Sequence, residues 1–470
     1  MSAARRTLDF AVAAMRGQVL QAAARPTFAG AAADSRAVAA EQLFFALPGE
    51  RVDGFDFAAQ AAAAGAAGVV VAAGRGLPAG CAGATVIAVD DPRRALGDLA
   101  RAARAEFRGR VVAVTGSNGK TTTKELCAAA LRPLGEVLRT PGNFNTDVGL
   151  PLTILSASGA EAAWVLEMAM RAPGEIAYLT EIARPGIGII TNVAAAHLET
   201  LGSIEGVARA KGELFAGLGP TARAVLPVDD PLIAAQAAPV APERRLTFGG
   251  RAAGDVRLLD FVPAGAGGAV VRYAVRGTPV VARLPLGGAH NARNGAAALA
   301  AAFAAGVAPV DAARGLESVA LPPHRSAPVA AGGRTILDDC YNANPASMSA
   351  ALAALGAAAG SGRRFAILGD MLELGPGAEA AHRALGRAAG GALGGLAAVG
   401  ALAPLVVEEA RAAGLPPGRA VVAASPEAAA AAVGPWTAPG DWILVKASRG
   451  LRLERAVEAL RAALDPPREK

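Results

Sequence analysis

The chain has 470 residues, 46 Lys plus Arg against 40 Asp plus Glu, a net charge of +6, and 53% hydrophobic but only 18% charged residues. That composition supplies core for about two to four domains and excludes wholesale disorder. Charges of both signs are interspersed and 4% of residues are aromatic, which excludes the clustered bases and stacking rings of a nucleic-acid groove.

Cys81, Cys127 and Cys340 stand far apart with no CxxC. They read as small buried residues of a protein in a reducing cytoplasm, not as a zinc site or disulfide framework. Arg5 and Arg6 open the chain, but Asp9 and Arg16 interrupt the apolar stretch after them, so no signal-peptide core is expected. The charge-free stretch 388–407 contains five glycines and reads as helix end, turn and buried strand, with no membrane span. Only five basic residues are lysines: Lys120, Lys124, Lys211, Lys446 and the terminal Lys470. A chain that uses Arg for ordinary surface charge keeps Lys where a compact, movable ammonium is needed.

In chain order, short apolar runs at 69–72, 111–115, 164–168, 187–193, 335–339, 365–368, 396–399, 420–423 and 442–445 are each succeeded by a longer Ala/Leu-rich segment. This alternation predicts an α/β fold with mostly parallel sheets and functional loops at the C-terminal ends of strands. Between 256 and 286 apolar and polar residues alternate between Gly and Pro turns, predicting a small antiparallel addition to the central sheet. Changes of texture near 106–110 and 315–326 divide the chain into three domains, 1–107, 108–318 and 319–470. The last is expected to be Rossmann-like. The alanine-rich tracts show no fixed-period repeat and read as helix surface.

The strongest local signal is VVAVTGSNGKTTTKE at 111–125. An apolar strand runs into Gly116, Ser117, Asn118, Gly119, Lys120, Thr121 and Thr122, and then into a helix. Glycines let backbone N–H groups approach phosphate oxygens, and the helix N-terminus adds its positive dipole end. Lys120 reaches the terminal phosphates and the Thr121 hydroxyl suits Mg²⁺. Thr115 stands where the first glycine of the usual phosphate loop would be, so the loop is a short variant. Lys124 lies one helical turn on, where a surface role and a functional one are equally consistent.

Such a loop needs metal ligands on adjacent strands. Glu167 ends the run 164–166, and His197 stands four residues beyond the run 187–193. A carboxylate is a natural Mg²⁺ ligand, an imidazole a less usual one. Lys211 stands in ARAKGELF on the next helix. Asn143, Asn145 and Thr146, in TPGNFNTDVGLP, form a polar turn before a helix, suited equally to turn-making and to ligand contact.

Together TGSNGKTTTKE, GNFNTDVGLP, EMAM with PGEI, TNVAAAHLETLGS, ARAKGELF and GAHNARN resemble the Mur ligases of peptidoglycan synthesis, to which folylpolyglutamate synthetases are related. The resemblance covers almost the whole chain. DDCYNANPASM at 338–348, LGDMLELG at 368–375 and DSRAVAAEQLFFALPGERVDGFDF at 34–57 resemble the branch that joins D-alanyl-D-alanine to UDP-N-acetylmuramoyl-tripeptide. The DNPR motif of the branch that adds meso-diaminopimelate is absent; NANP stands at 342–345.

The resemblance implies an ATP-dependent enzyme that uses two Mg²⁺ ions and works through an acyl phosphate; a cytoplasmic location is expected from the composition and a monomer is expected, with the oligomeric state left open. Lys120 and Thr121 would bind ATP and its magnesium, with Glu167 and His197 as further metal ligands. Lys211 matches a lysine that carries a carbamate, an anion that helps to order magnesium. Asn291 and Asn294 fall where the family contacts adenine, and Arg325 and Asp339 where the last domain closes on ATP. Ser35 and Arg36 match the motif that holds the UDP end, and Asn342 and Asn344 lie near the incoming dipeptide. Lys446, Ser448 and Arg449 match a KGSR motif interrupted by Ala447, and Phe55 replaces a frequent His in DGFDF. The third residue of the tripeptide, meso-diaminopimelate or L-lysine, stays open. The nearer rival is an amide ligase for another amine or a folate. A nucleotide-binding switch is the rival from another class, and it leaves the DSR segment and the third domain without a purpose.

Overall fold

The computed structural model describes residues 3–49, 52–195, 198–264, 268–320, 322–358 and 362–465. Among them a nine-stranded sheet forms the centre. From one edge it runs through Val137–Arg139, Ala163–Glu167, Arg110–Thr115, Ile187–Ile190, Arg223–Pro227, Arg245–Phe248 and Val256–Ala264, all paired parallel. Gly268–Val275 and Thr278–Leu284 then pair antiparallel, the small addition expected from the sequence.

The central strands are apolar without a break because both faces are covered. Val111 and Ala113 pack into one core, and Val112 and Val114 into the other. Trp164 and Leu166 divide from Ala163 and Val165 in the same way. Each fully buried side chain of Val or Leu size contributes roughly 1.5–3 kcal/mol, so this central strip is the most firmly held part of the sheet.

On the N-terminal side, a five-stranded sheet built from residues 18–89 packs through the Pro92–Glu106 helix against the first core. The Asp91 side chain caps that helix, accepting from the N–H groups of Arg93 and Arg94, and Pro92 opens its first turn. Phe107, just past its end, stacks on Trp164 with ring centroids 3.9 Å apart. The capped start also meets the central domain: Arg93 pairs with Asp147, and Arg94 lies over the Tyr178 ring.

The third domain carries a six-stranded sheet in the order Ala327–Ala331, Arg334–Asp338, Trp442–Lys446, Arg364–Gly369, Gly395–Val399 and Ala420–Ala423, parallel except for its first pair. Its faces also alternate: Ala366 and Leu368 point one way, Phe365 and Ile367 the other. The glycine-rich stretch that superficially suggests a membrane span is the end of the Ala378–Ala392 helix and then the strand Gly395–Val399. No helix among the described residues is long and apolar enough to cross a membrane.

Two expectations are corrected. Ala59, Ala63 and Ala64 are exposed as expected, but the alanine tract of Ala289–Ala305 is not helix surface: Ala296, Ala297, Ala298, Ala300, Ala301 and Ala302 are all buried. Their small side chains let this helix lie close against Lys120–Leu131, itself buried at all but its first residue. The run 187–193 is also not all strand. It ends at Ile190, and the next two residues turn to bind the phosphate loop.

Candidate active site

A cavity of about 1020 Å³ opens at the C-terminal ends of the central strands, where α/β sheets present their functional loops. Ser117 to Thr122 form its floor. The backbone fold of this loop depends on two glycines. Gly116 has φ +149°, and a Cβ there would meet Thr191 Oγ1 at 1.9 Å; Gly119 has φ +76° and faces Asn294. The loop is stitched to its neighbour. Thr191 Oγ1 and Asn192 Nδ2 donate to the Asn118 carbonyl at 2.6 and 2.9 Å, and Asn118 N–H donates to Asn192 Oδ1 at 3.0 Å. Gly119 precedes the Lys120–Leu131 helix without any side-chain cap, so the first-turn N–H groups remain available to an anion.

Lys120 Nζ donates to the carbonyls of Gly116 at 2.8 Å and Ser117 at 3.2 Å. Burial pushes its pKa below the ordinary lysine value, against the pull of Glu167 and helped by Arg325. A polyanion in the cavity would supply the compensating charge.

Glu167 lies at the end of the strand beside the loop, in register with Val114, and is buried. Its Oε1 accepts from Asn145 Nδ2 at 2.7 Å, whereas its buried Oε2 has no hydrogen-bond partner. An orphaned carboxylate oxygen lining a polar cavity fits a hard cation such as Mg²⁺. Thr121 and Thr122 also line the cavity. Asn143 and Thr146 reach it with Asn145, so the polar turn is part of the site.

The opposite walls come from two other regions. Asn291 and Asn294 stand buried on the first turns of the Ala289–Ala305 helix, joined by a 3.3 Å hydrogen bond, with half-buried His290 beside them. Burial lowers the His290 pKa, which leaves the ring neutral at pH 7. The third domain contributes Arg325, Asp339, Tyr341, Asn342, Asn344 and Lys446. Arg325 stacks over the Tyr341 ring at 3.8 Å. Lys446 Nζ lies 2.6 Å from Asp339 Oδ2 and donates to the Asn342 carbonyl at 2.9 Å. Asn344 Nδ2 donates to Asn118 Oδ1 at 2.6 Å, a direct bond between the third domain and the phosphate loop.

Not every candidate reaches this cavity. Ser35 Oγ bonds Gln60, and Arg36 forks onto Asp34 at the surface. Neither lines the cavity; the N-terminal region enters it instead through Arg93 and Arg94. Ser448 donates to the Ala343 carbonyl and accepts from Leu372 N–H, and Arg449 pairs with Glu454. Ser448 thus supports the cavity wall from behind. Lys211 is buried on the Ile204–Ala216 helix, off the cavity surface; burial, with the charge of Lys120 adding to it, pushes its pKa well below the lysine range. His197 lies outside the described residues. In the other departure from the family pattern, Phe55 packs under the Arg75 guanidinium at 4.5 Å, and Asp53 caps its N–H.

The three cysteines are buried and free. Cys340 Sγ and His324 Nδ1 both contact Asp338, at 3.0 and 2.8 Å. Burial, reinforced by Asp338, pushes the Cys340 thiol pKa up. These three groups satisfy one another and hold the backbone on which Arg325 and Asp339 sit. Thr191 and Asn192 open the TNVAAAHLETLGS segment, but their role emerges only from the stitching of the loop. Lys124 is wholly buried, not on the surface; the scarcity of lysine and its place in TGSNGKTTTKE mark it.

Residues 27–104 match the Mur ligase family catalytic domain, 114–302 the Mur ligase middle domain, and 324–449 the Mur ligase glutamate ligase domain. The UDP-N-acetylmuramoyl-tripeptide--D-alanyl-D-alanine ligase of Bacillus subtilis is 38% identical over 442 residues, covering 92% of this chain and 93% of its own. Among solved structures, MurF from Acinetobacter baumannii superposes with a TM-score of 0.88 at 29% identity, covering 98% of this chain and 100% of its own. MurF ligase from Thermotoga maritima in complex with ADP gives 0.81 at 32% identity, covering 93% and 98%. A three-domain α/β fold with a phosphate loop facing its third domain, matched along nearly its full length, places this chain in the Mur ligase family.

Proposed function

We propose that the chain is an ATP-dependent ligase that joins D-alanyl-D-alanine to UDP-N-acetylmuramoyl-tripeptide, giving the pentapeptide precursor of peptidoglycan. The observation that carries this reading is the single cavity in which phosphate-loop residues, Glu167 and the NANP asparagines of the third domain meet. The division 1–107, 108–318 and 319–470 then assigns UDP-substrate binding, ATP binding and dipeptide binding to the three domains in turn. Ser35 and Arg36 hold the UDP end.

ATP lies along the loop, its phosphates on the free N–H groups of the Lys120–Leu131 helix and on Lys120, its adenine toward Asn291 and Asn294. The terminal carboxylate of the tripeptide attacks the γ-phosphorus; an O–P bond forms, the bond to the β-phosphate oxygen breaks, and ADP leaves. The dipeptide amine, oriented by Asn342, Asn344 and Lys446, then attacks the acyl carbon, and phosphate departs from the tetrahedral intermediate. Thr121, Glu167, His197 and the carbamate of Lys211 would hold Mg²⁺, which neutralises charge on the phosphates when bound. Most of the work falls to positioning and electrostatics, because two anions must be brought together.

An acyl phosphate exposed to water hydrolyses, so the third domain must cover it. The Asn344–Asn118 bond, with Arg325 and Asp339 facing the same cavity, supports this closing role. A substrate panel tests the reading. With the nucleotide tripeptide as acceptor, ADP release should require D-alanyl-D-alanine and should not respond to single amino acids or folates. Release driven equally by a free amino acid would assign the chain to another branch. Amine-independent hydrolysis alone would favour a nucleotide switch.

A further inference from the structure

We infer that Lys124 is a positioning residue, which fixes Glu167 so that one carboxylate oxygen stays free for a cation. This deepens the reading above and rests on Glu167 as a cation ligand. Lys124 is fully buried one turn beyond Lys120. Burying an ammonium costs several kcal/mol unless it is paired and hydrogen-bonded, so its partners show what it is held for.

There are three such partners. Nζ donates to the Thr140 carbonyl at 2.7 Å, lies 3.1 Å from Glu125 Oε1, and lies 3.8 Å from Glu167 Oε2. Glu125 in turn pairs through its other oxygen with Arg139 at 2.6 Å. Thr140 works at both ends. Its carbonyl accepts a hydrogen bond from Lys124 Nζ, and its buried Oγ1 accepts from the N–H of Glu167 at 2.9 Å. Lys124 thus anchors the residue that grips the Glu167 backbone and also stands beside the Glu167 carboxylate.

The two carboxylate oxygens consequently differ. Oε1 is taken by Asn145, and Oε2 is buried, faces the ammonium at a distance too long for a hydrogen bond, and has no other partner. Without Lys124, Lys120, whose charge already interacts with Glu167, is free to capture it. Such a capture would withdraw the carboxylate from the metal and the ammonium from the phosphates at once. An arginine would not substitute, because its planar fork does not fit a fully enclosed site shaped to a single ammonium.

The test measures Mn²⁺ binding by electron paramagnetic resonance on the full-length protein with ADP, beside steady-state kinetics and thermal unfolding. Lys124→Met, of similar length and uncharged, should weaken Mn²⁺ binding about tenfold or more, the usual cost of losing a group that orients a metal ligand. It should lower kcat while leaving KM for D-alanyl-D-alanine unchanged. A folded Lys124→Met with wild-type Mn²⁺ affinity overturns the inference. Should that variant not fold, Lys124→Gln decides: its amide can still donate to the Thr140 carbonyl, and only the charge beside Glu167 is lost. Weakened Mn²⁺ binding supports the inference, and unchanged binding overturns it. Glu167→Gln separates the two levels. If it binds Mn²⁺ like wild type, the cation reading of Glu167 fails; if it alone loses binding, only the role of Lys124 fails.

Discussion

Lys120→Ala lowers the ligation rate by about 10³-fold or more while the protein remains folded. The magnitude is that of removing a principal charge from a site that stabilises a transferring phosphoryl group. Four other cations that line the cavity are engaged: Lys446 is paired with Asp339, Arg325 is stacked on Tyr341, Arg93 is paired with Asp147, and Arg94 lies over the Tyr178 ring. Folding is preserved because the Lys120 ammonium touches only carbonyls of its own loop. Burial already depresses its pKa, so removing it relieves a desolvation cost. Differential scanning calorimetry should find Tm unchanged or raised, beside a nearly complete loss of pentapeptide formation. Substantial retained activity would remove Lys120 from the phosphate-binding role.

Lys211→Ala should lose about 10²- to 10³-fold in rate, and short carboxylic acids should restore part of it by supplying the missing anion near the metal. Burial first, and the Lys120 charge second, push the Lys211 pKa well below 10.5. That matters chemically, because only the neutral amine attacks carbon dioxide; a C–N bond forms, a proton is lost and an anionic carbamate results. The unmodified side chain also has a signature in stability. Between its lowered folded value and 10.5 the unfolded chain binds more protons at this position than the folded one, so stability rises with pH across that window. Bicarbonate should remove this slope and add a carbamate carbon signal in NMR with labelled carbon dioxide. Absence of both the signal and the rescue would leave Lys211 as a buried amine without a chemical task.

Much of the scaffold was readable from residue patterns because the central strands are covered on both faces. Continuous apolar runs such as Val111 to Val114 leave little doubt about strand or layer. Short strands were less visible. Val137–Arg139 is three residues long and ends on a charge, and Ala327–Ala331 resembles a linker until its partner Arg334–Asp338 pairs with it. The phosphate loop was legible because its chemistry demands glycines, Lys120 and Thr121 at fixed spacing. The supporting shell was not. Thr140, Thr191 and Asn192 stand in the segments TPGNFNTDVGLP and TNVAAAHLETLGS, but they act through hydrogen bonds to residues distant in sequence, which those segments do not show. Lys124 shows the limit most sharply. Its position suits an exposed helical face, yet the Ala289–Ala305 and Pro309–Leu316 helices pack against that helix, and Lys124 is enclosed.

The central claim is that a carboxylate is activated as an acyl phosphate and captured by D-alanyl-D-alanine in this cavity. The most direct measurement starts with UDP-N-acetylmuramoyl-tripeptide whose terminal carboxylate carries oxygen-18, supplied with either candidate third residue, together with ATP and the dipeptide. Mass spectrometry should find the pentapeptide and, in equal amount, inorganic phosphate bearing a single labelled oxygen from the carboxylate. ADP release with unlabelled phosphate and no pentapeptide would contradict the account.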